Sequence, residues 1–115
     1  MNVNIQQLVG PLCMTYEDGE KLHAAYRPAF DRGETIFLDF SGTRIFVSQF
    51  FNAAVGQLFK EHGIEEVRSR LKFQNLPAAA NAPLRRSVEN AERYYRDEKY
   101  REALDRVLAD QAVEA

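Results

Sequence analysis

Glu34-Thr35-Ile36-Phe37-Leu38-Asp39-Phe40, closed by Ser41-Gly42-Thr43, is the stretch that decides the fold. It is rich in β-branched and aromatic residues and apolar on both faces over Ile36 to Leu38, the pattern of a strand covered on both sides. It reads as the central strand of a sheet, and Ser41-Gly42-Thr43 supplies the turn that ends it.

Downstream, Phe50, Phe51, Ala54, Val55, Leu58 and Phe59 form one wide apolar stripe at helical spacing. A second helix is therefore expected from Gln49 to His62, with Ser48 as its N-cap and Gly63 as its stop. Its other face, Asn52, Ala53, Gly56 and Lys60, is small or polar and is expected to look outward. Upstream, Leu22, Ala25, Tyr26, Ala29 and Phe30 place a first helix over Tyr16 to Arg32, begun by Thr15 and stopped by Gly33. Pro28 cannot donate to the carbonyl of Ala24 and is expected to kink or split that helix. Val3 and Ile5 alternate with polar neighbours before Gly10-Pro11, which reads as a short edge strand.

Beyond the second helix, Ile64 to Arg70 is a charged helical connector and Leu71 to Leu76 alternates like a half-buried strand. Pro77 to Ala82 reads as a loop. Asn81 and Pro83 open a third helix with Leu84, Val88, Ala91 and Tyr95 on one face. A break at Arg96-Asp97 precedes a fourth, carrying Tyr100, Leu104, Val107 and Leu108. Strands separated by helices imply crossover connections, hence an α/β fold with a small, mainly parallel sheet of three or four strands. One domain over 1–115 is expected, with 97–115 as a C-terminal helical extension.

Composition agrees. The chain has 115 residues, 45% hydrophobic and 28% charged, enough for one core without a disulfide or metal staple. Its net charge of −2 speaks against a nucleic-acid coat or a basic membrane-surface binder. The N-terminal residues carry no basic or apolar leader pattern and no stretch is long and apolar enough to span a bilayer, so a cytoplasmic location is expected.

Residues that carry chemistry are few. His23 and His62 sit on different helices with no ligand-spaced Asp, Glu or Cys, so no metal is expected and both read as solvated. Cys13 reads as a buried, inert thiol. No glycine-rich phosphate loop is present, and neither catalysis nor a cofactor is expected. Arg68, Arg70, Lys72, Arg85 and Arg86 bracket the third strand; they are read as a solvated rim paired with acids, with phosphate binding as the rival. The informative segment is Asp39 to Asn52, because loops leaving the C-terminal end of a central parallel strand are where ligands and partners gather. Within it Asp39 is expected to fix the turn by accepting from the nitrogens of Gly42 or Thr43. Ser48 either caps its helix or, as phosphoserine, is stabilised by the helix N-terminus.

Ile36-Phe37-Leu38-Asp39-Phe40-Ser41-Gly42, then Ser48-Gln49-Phe50-Phe51-Asn52-Ala53-Ala54-Val55-Gly56-Gln57-Leu58, then Leu71-Lys72-Phe73-Gln74-Asn75-Leu76, resemble the STAS-like family of small bacterial proteins, relatives of sulfate-transporter and anti-sigma-factor-antagonist domains. The resemblance implies a regulatory module without catalysis that docks on a protein partner, in the antagonists a histidine-kinase-like ATPase, through the loop before the second helix. That kinase phosphorylates a Ser or Thr in an Asp-Ser-Ser/Thr-Gly run, where this chain has Val47-Ser48-Gln49-Phe50. Counting from the strand aligns Ser48 with the first serine and Gln49 with the acceptor; a loop one residue different moves Ser48 onto the acceptor. The expected docking surface comprises Ser41, Gly42, Thr43, Ser48, Gln49, Asn52, Ala53 and Gly56, and a weak homodimer is a further expectation. The alternative is a small ligand-binding protein or enzyme with a polar pocket at the strand ends, formed by Asp39, Ser41, Thr43 and Ser48.

Overall fold

The computed structural model describes residues 1–96, and the expected helix over 97–115 lies outside them. Three parallel strands, β1 (Asn2–Asn4), β3 (Ile36–Asp39) and β5 (Leu71–Gln74), form one sheet in the order β1-β3-β5. The decisive stretch is indeed central: Val3 pairs with Leu38 on one side and Phe73 pairs with Leu38 on the other. A second, two-stranded parallel ribbon pairs β2 (Leu12–Cys13) with β4 (Ile45–Phe46). The α/β class and its parallel strands are as expected; the ribbon is an addition.

The first strand is shorter than the alternation of Val3 and Ile5 implies. Asn4 ends it, because its Oδ1 accepts from Gln7 N at 2.9 Å and caps the short helix α1 (Ile5–Val9). Helix α2 (Tyr16–Asp31) starts as expected, with Thr15 Oγ1 accepting from Asp18 N at 3.1 Å. It runs through Pro28 without the split that the proline could have caused. Pro28 and Ala24 are both exposed, on the side of the helix where a carbonyl left without a donor is open to solvent. Gly33, at φ 88°, then turns the chain toward β3.

The second helix is continuous over 48–62 but not uniform. Helix α3 (Ser48–Phe51) passes into a π-helical turn (Asn52–Gly56) and then α4 (Gln57–His62), which ends at Gly63. Two buried hydroxyls are directed at its first half. Tyr26, fully buried on α2, donates to the carbonyl of Ala54 at 2.5 Å. Ser87 donates to Asn52 Oδ1 at 2.6 Å from α6 (Asn81–Arg96) and lies 3.2 Å from the Ser48 carbonyl. This central helix is thus flanked by α2 on one side and α6 on the other, while α5 (Ile64–Arg70) leads into β5.

The core lies between the sheet and these helices. Phe40 gathers Phe46, Phe51 and Phe73 at ring-centroid distances of 6.0 to 6.4 Å, and Ile36, Leu38, Phe30, Phe50, Val55 and Leu58 are fully buried around them. Arg70 closes one end of the core. Its guanidinium lies 3.8 Å from the centroid of the Phe30 ring and donates to the Phe30 carbonyl at 2.6 Å, capping the last turn of α2.

Candidate functional site

Asp39 is the last residue of β3, and its Oδ1 accepts three hydrogen bonds: from Asn75 Nδ2 at 3.0 Å, from Ser41 Oγ at 2.7 Å and from Ser41 N at 3.0 Å. The Asn75 amide, then the Ser41 hydroxyl and amide, hold the carboxyl below its usual range, so it stays ionised. The turn is fixed through Ser41 rather than through Gly42 or Thr43 nitrogen. Asn75, at φ 55° just past β5, is brought into contact with it, so one carboxylate ties the ends of two neighbouring strands. Nothing local in the sequence pairs two residues so far apart.

The loop that follows is closed on itself. Gly42 has φ 79°, and the Gln6 side-chain amide fills the space a β-carbon at 42 would need. Thr43 is only 5% exposed: both its hydroxyl, at 2.6 Å, and its N–H, at 3.1 Å, donate to the Phe40 carbonyl. Arg44 N donates to Pro11 O at 2.8 Å and Val47 N to Cys13 O at 3.0 Å, fastening the loop to β2. Ser41, Gly42, Arg44 and Ile45 remain exposed.

The expected surface on the second helix needs correction. Gln49 and Asn52 are exposed and Ser48 is half-buried, but Ala53 and Gly56 are buried. Ala53 packs against Gly19 of α2, and Gly56 lies in the π-turn beside a small cavity of about 240 Å³ that Ser87 and Asn90 of α6 help to line. Thr43 likewise leaves the surface because its hydroxyl turns inward. Ser48 is the first helical residue and not the cap; Val47 holds that position without a side-chain bond.

Concavities lie elsewhere. The most apolar, about 460 Å³, runs between β5 and α6, with Phe59, Leu71, Phe73, Leu84 and Val88 in its wall and Arg68 and Arg85 at its rim. Grooves of about 490 and 520 Å³ lie around His62, Glu66 and Tyr95 and around Lys60 and Tyr94. None of these includes Asp39, Ser41, Thr43 or Ser48.

Other singled-out residues take structural positions. Cys13 is buried and its thiol is pushed up to about 12 by burial and by Asp18. Both histidines are half-buried rather than solvated: His23 meets the Tyr26 ring edge-on, with burial and then Arg27 lowering its pKa, and His62 leans on Phe30. No three His, Cys, Asp or Glu side chains gather to hold a metal among the described residues. The basic run does not converge as free cations, because Arg70 turns inward to Phe30 and Glu66 and Lys72 Nζ donates to the Arg68 carbonyl at 2.8 Å.

The feature that sequence reasoning missed is apolar. Leu12, Met14, Tyr16 and Ile45 are 39 to 48% exposed, and Leu12 and Ile45 are register partners on the outer face of the ribbon. Two-residue strands leave no periodic signal by which to find them.

Among the described residues no helix is long and apolar enough to cross a membrane. No curated protein and no solved structure matched the chain. A family model described as a STAS-like domain of unknown function (DUF4325) matches residues 18–78, from the start of α2 through the central strand, the closed loop and the π-containing helix to the end of the third strand. With more than half its length matched, and with β3, β5, the loop and the helix all inside that span, the chain belongs to the STAS-like family.

Proposed function

We propose that this chain is a cytoplasmic regulatory module without catalysis, which docks on a protein partner through the loop over 41–48 and the neighbouring Gln49 and Asn52. The observation that carries this reading is the closure of the loop. Asp39, Gly42 over Gln6, and Thr43 on the Phe40 carbonyl hold the backbone in one shape while Ser41, Gly42, Arg44 and Ile45 face solvent. A preformed loop loses little conformational freedom on binding, which favours recognition by shape. A ligand pocket at the same strand ends has less support, since the grooves described above do not reach Asp39, whose Oδ1 is already engaged by Ser41 and Asn75.

The partner class comes from the family likeness: a histidine-kinase-like ATPase. In this reading Ser48 is the acceptor of its phosphoryl group. Ser48 Oγ attacks the γ-phosphorus of ATP, the bond to the bridging oxygen of ADP breaks, and the hydroxyl proton passes to a base of the kinase. Ser48 is suited by position, half-exposed with no hydrogen bond to its hydroxyl among the described residues, at the first turn of a helix whose free N–H groups favour a phosphate.

The test is affinity capture from the native host with the full chain, run in parallel with Ser41→Arg and Gln49→Arg, both at exposed positions. An ATPase retained by the parent and lost by both variants, with Ser48 gaining the mass of one phosphoryl group, is the expected result. The same proteins captured by all three would overturn the docking surface; modification elsewhere or nowhere would remove Ser48 from it.

A further inference from the structure

Among the described strands β5 is an edge, paired on one side only, with β3. Its register with β3, together with the bond from Phe40 N to the Gln74 carbonyl, turns the amides and carbonyls of Lys72 and Gln74 toward β3. The backbone groups of Leu71 and Phe73 therefore point the other way. Leu71 N–H donates to the Val67 carbonyl as α5 ends. The Leu71 carbonyl and the N–H and carbonyl of Phe73 are left without a backbone partner among the described residues. Such a row is a template for a further strand.

The side chains of the same two residues stand in the wall of the groove of about 460 Å³ between β5 and α6. That groove is open because α6 packs chiefly on α3, the π-turn and α4. Phe59, Leu84 and Val88 make the rest of its wall apolar, and Arg68 and Arg85 at its rim are exposed, with neither guanidinium paired among the described residues. Glu89 and Glu92 line the groove one and two turns further along α6 than Arg85. An open strand edge beside an apolar groove, with cations at its rim, has the features by which an extended peptide is bound through its backbone and its alternate side chains.

We infer that this edge and groove bind an extended segment of a partner protein, which adds to the sheet beside β5, sets an apolar side chain into the groove at every second residue and meets Arg68 and Arg85 with its carboxylates. The added strand bonds to the Leu71 carbonyl and to both backbone groups of Phe73. Its alternate side chains fall on the face of the sheet that carries those of Leu71 and Phe73, where Phe73 stacks on Phe40. Carboxylates are repelled near Glu89 and Glu92, so the acidic residues of the segment gather at one end. The inference does not rest on the docking-loop reading, since the groove and the loop share no residue.

Selection of short random peptides displayed on phage against the full chain, followed by synthesis of the most enriched sequence, tests it. Enriched peptides are expected to alternate apolar and polar residues and to carry Asp or Glu toward one end. In hydrogen exchange the synthetic peptide is expected to slow the Phe73 amide at least tenfold, while Lys72 and Gln74, already bonded to β3, and the loop over 41–48 stay as in the free chain. Methylating the peptide's backbone nitrogens one at a time should abolish binding at alternate positions only. Arg85→Glu, at an exposed position, should weaken binding at least tenfold with an unchanged urea midpoint. No enrichment over the uncoated support overturns the inference. So do enriched peptides without acidic residues, binding indifferent to Arg85→Glu or to methylation at every position, or protection that leaves the Phe73 amide unchanged.

Discussion

Gly19 of α2 and Ala53 of the central helix meet so closely that a β-carbon built on Gly19 would stand 2.7 Å from that of Ala53, nearer than real β-carbons approach, and nearer still to the Phe50 carbonyl. The glycine is what lets the two helices touch. Gly19→Ala is therefore expected to destabilise by about 1–3 kcal/mol through overpacking, even though alanine is the better helix former by roughly 1 kcal/mol. Gly56 is the contrasting case. It is also buried, but a β-carbon there would meet the Phe51 carbonyl at 3.6 Å, an ordinary contact. Gly56→Ala is expected to be neutral or to stabilise by up to ~1 kcal/mol, and urea unfolding midpoints of the two variants check the pair.

The hydroxyl of Tyr26 is the single donor that α2 sends to the Ala54 carbonyl inside the π-turn. Tyr26→Phe keeps the ring and removes one buried hydrogen bond to that carbonyl. A loss of about 0.5–1.5 kcal/mol is expected, with faster amide exchange within 52–57 than in α6; equal stability to the parent would mean the bond contributes nothing.

Alkaline pH should unfold the domain by linkage. Burial raises the Cys13 thiol from 9.0 to about 12 and raises the Tyr26 phenol above 10.0. Between pH 9 and 12 the unfolded chain therefore releases protons that the folded chain keeps, so stability, complete below pH 9, falls by at most about 1.4 kcal/mol per pH unit for each group. Cys13→Ala should flatten the first part of that fall in urea titrations at pH 8 to 11; an identical slope would put the linkage on other groups.

Asp39 acts on the loop more than on the core. Asp39→Ala frees Ser41 and Asn75 while leaving the packing of Ile36, Leu38 and Phe40 intact. The Ser41 amide is expected to exchange at least tenfold faster with little change in the urea midpoint. Because hydrogen bonding lowers the Asp39 pKa from 3.8, the same loosening should appear in the parent as pH falls through the acid range below 4.

Which parts of this were legible follows from how local their causes are. Ile36–Asp39 and Tyr16–Asp31 are readable because strand composition, a Thr15 cap and a Gly33 stop all lie within the elements themselves. Asn4 shows the limit: the same residue fits an alternating strand or an N-cap, and only its bond to Gln7 decides. The faces of the central helix were harder still. Small residues on one side of a stripe look solvent-facing, yet Ala53 is covered by Gly19 and Gly56 lies under α6, contacts between segments distant in sequence. The loop residues Ser41 and Gly42 were visible as a turn; Gln6 and Asn75, which hold that turn from either side, were not.

Docking of a partner on the closed loop over 41–48, as proposed, is read residue by residue by hydrogen exchange of the full chain, free and in complex with an ATPase retained in affinity capture. New protection is expected to concentrate in 41–49 and at Asn52, with α2 beyond its first turns and α5 unchanged. Protection confined to the groove between β5 and α6, with the loop exchanging as in the free chain, would contradict it.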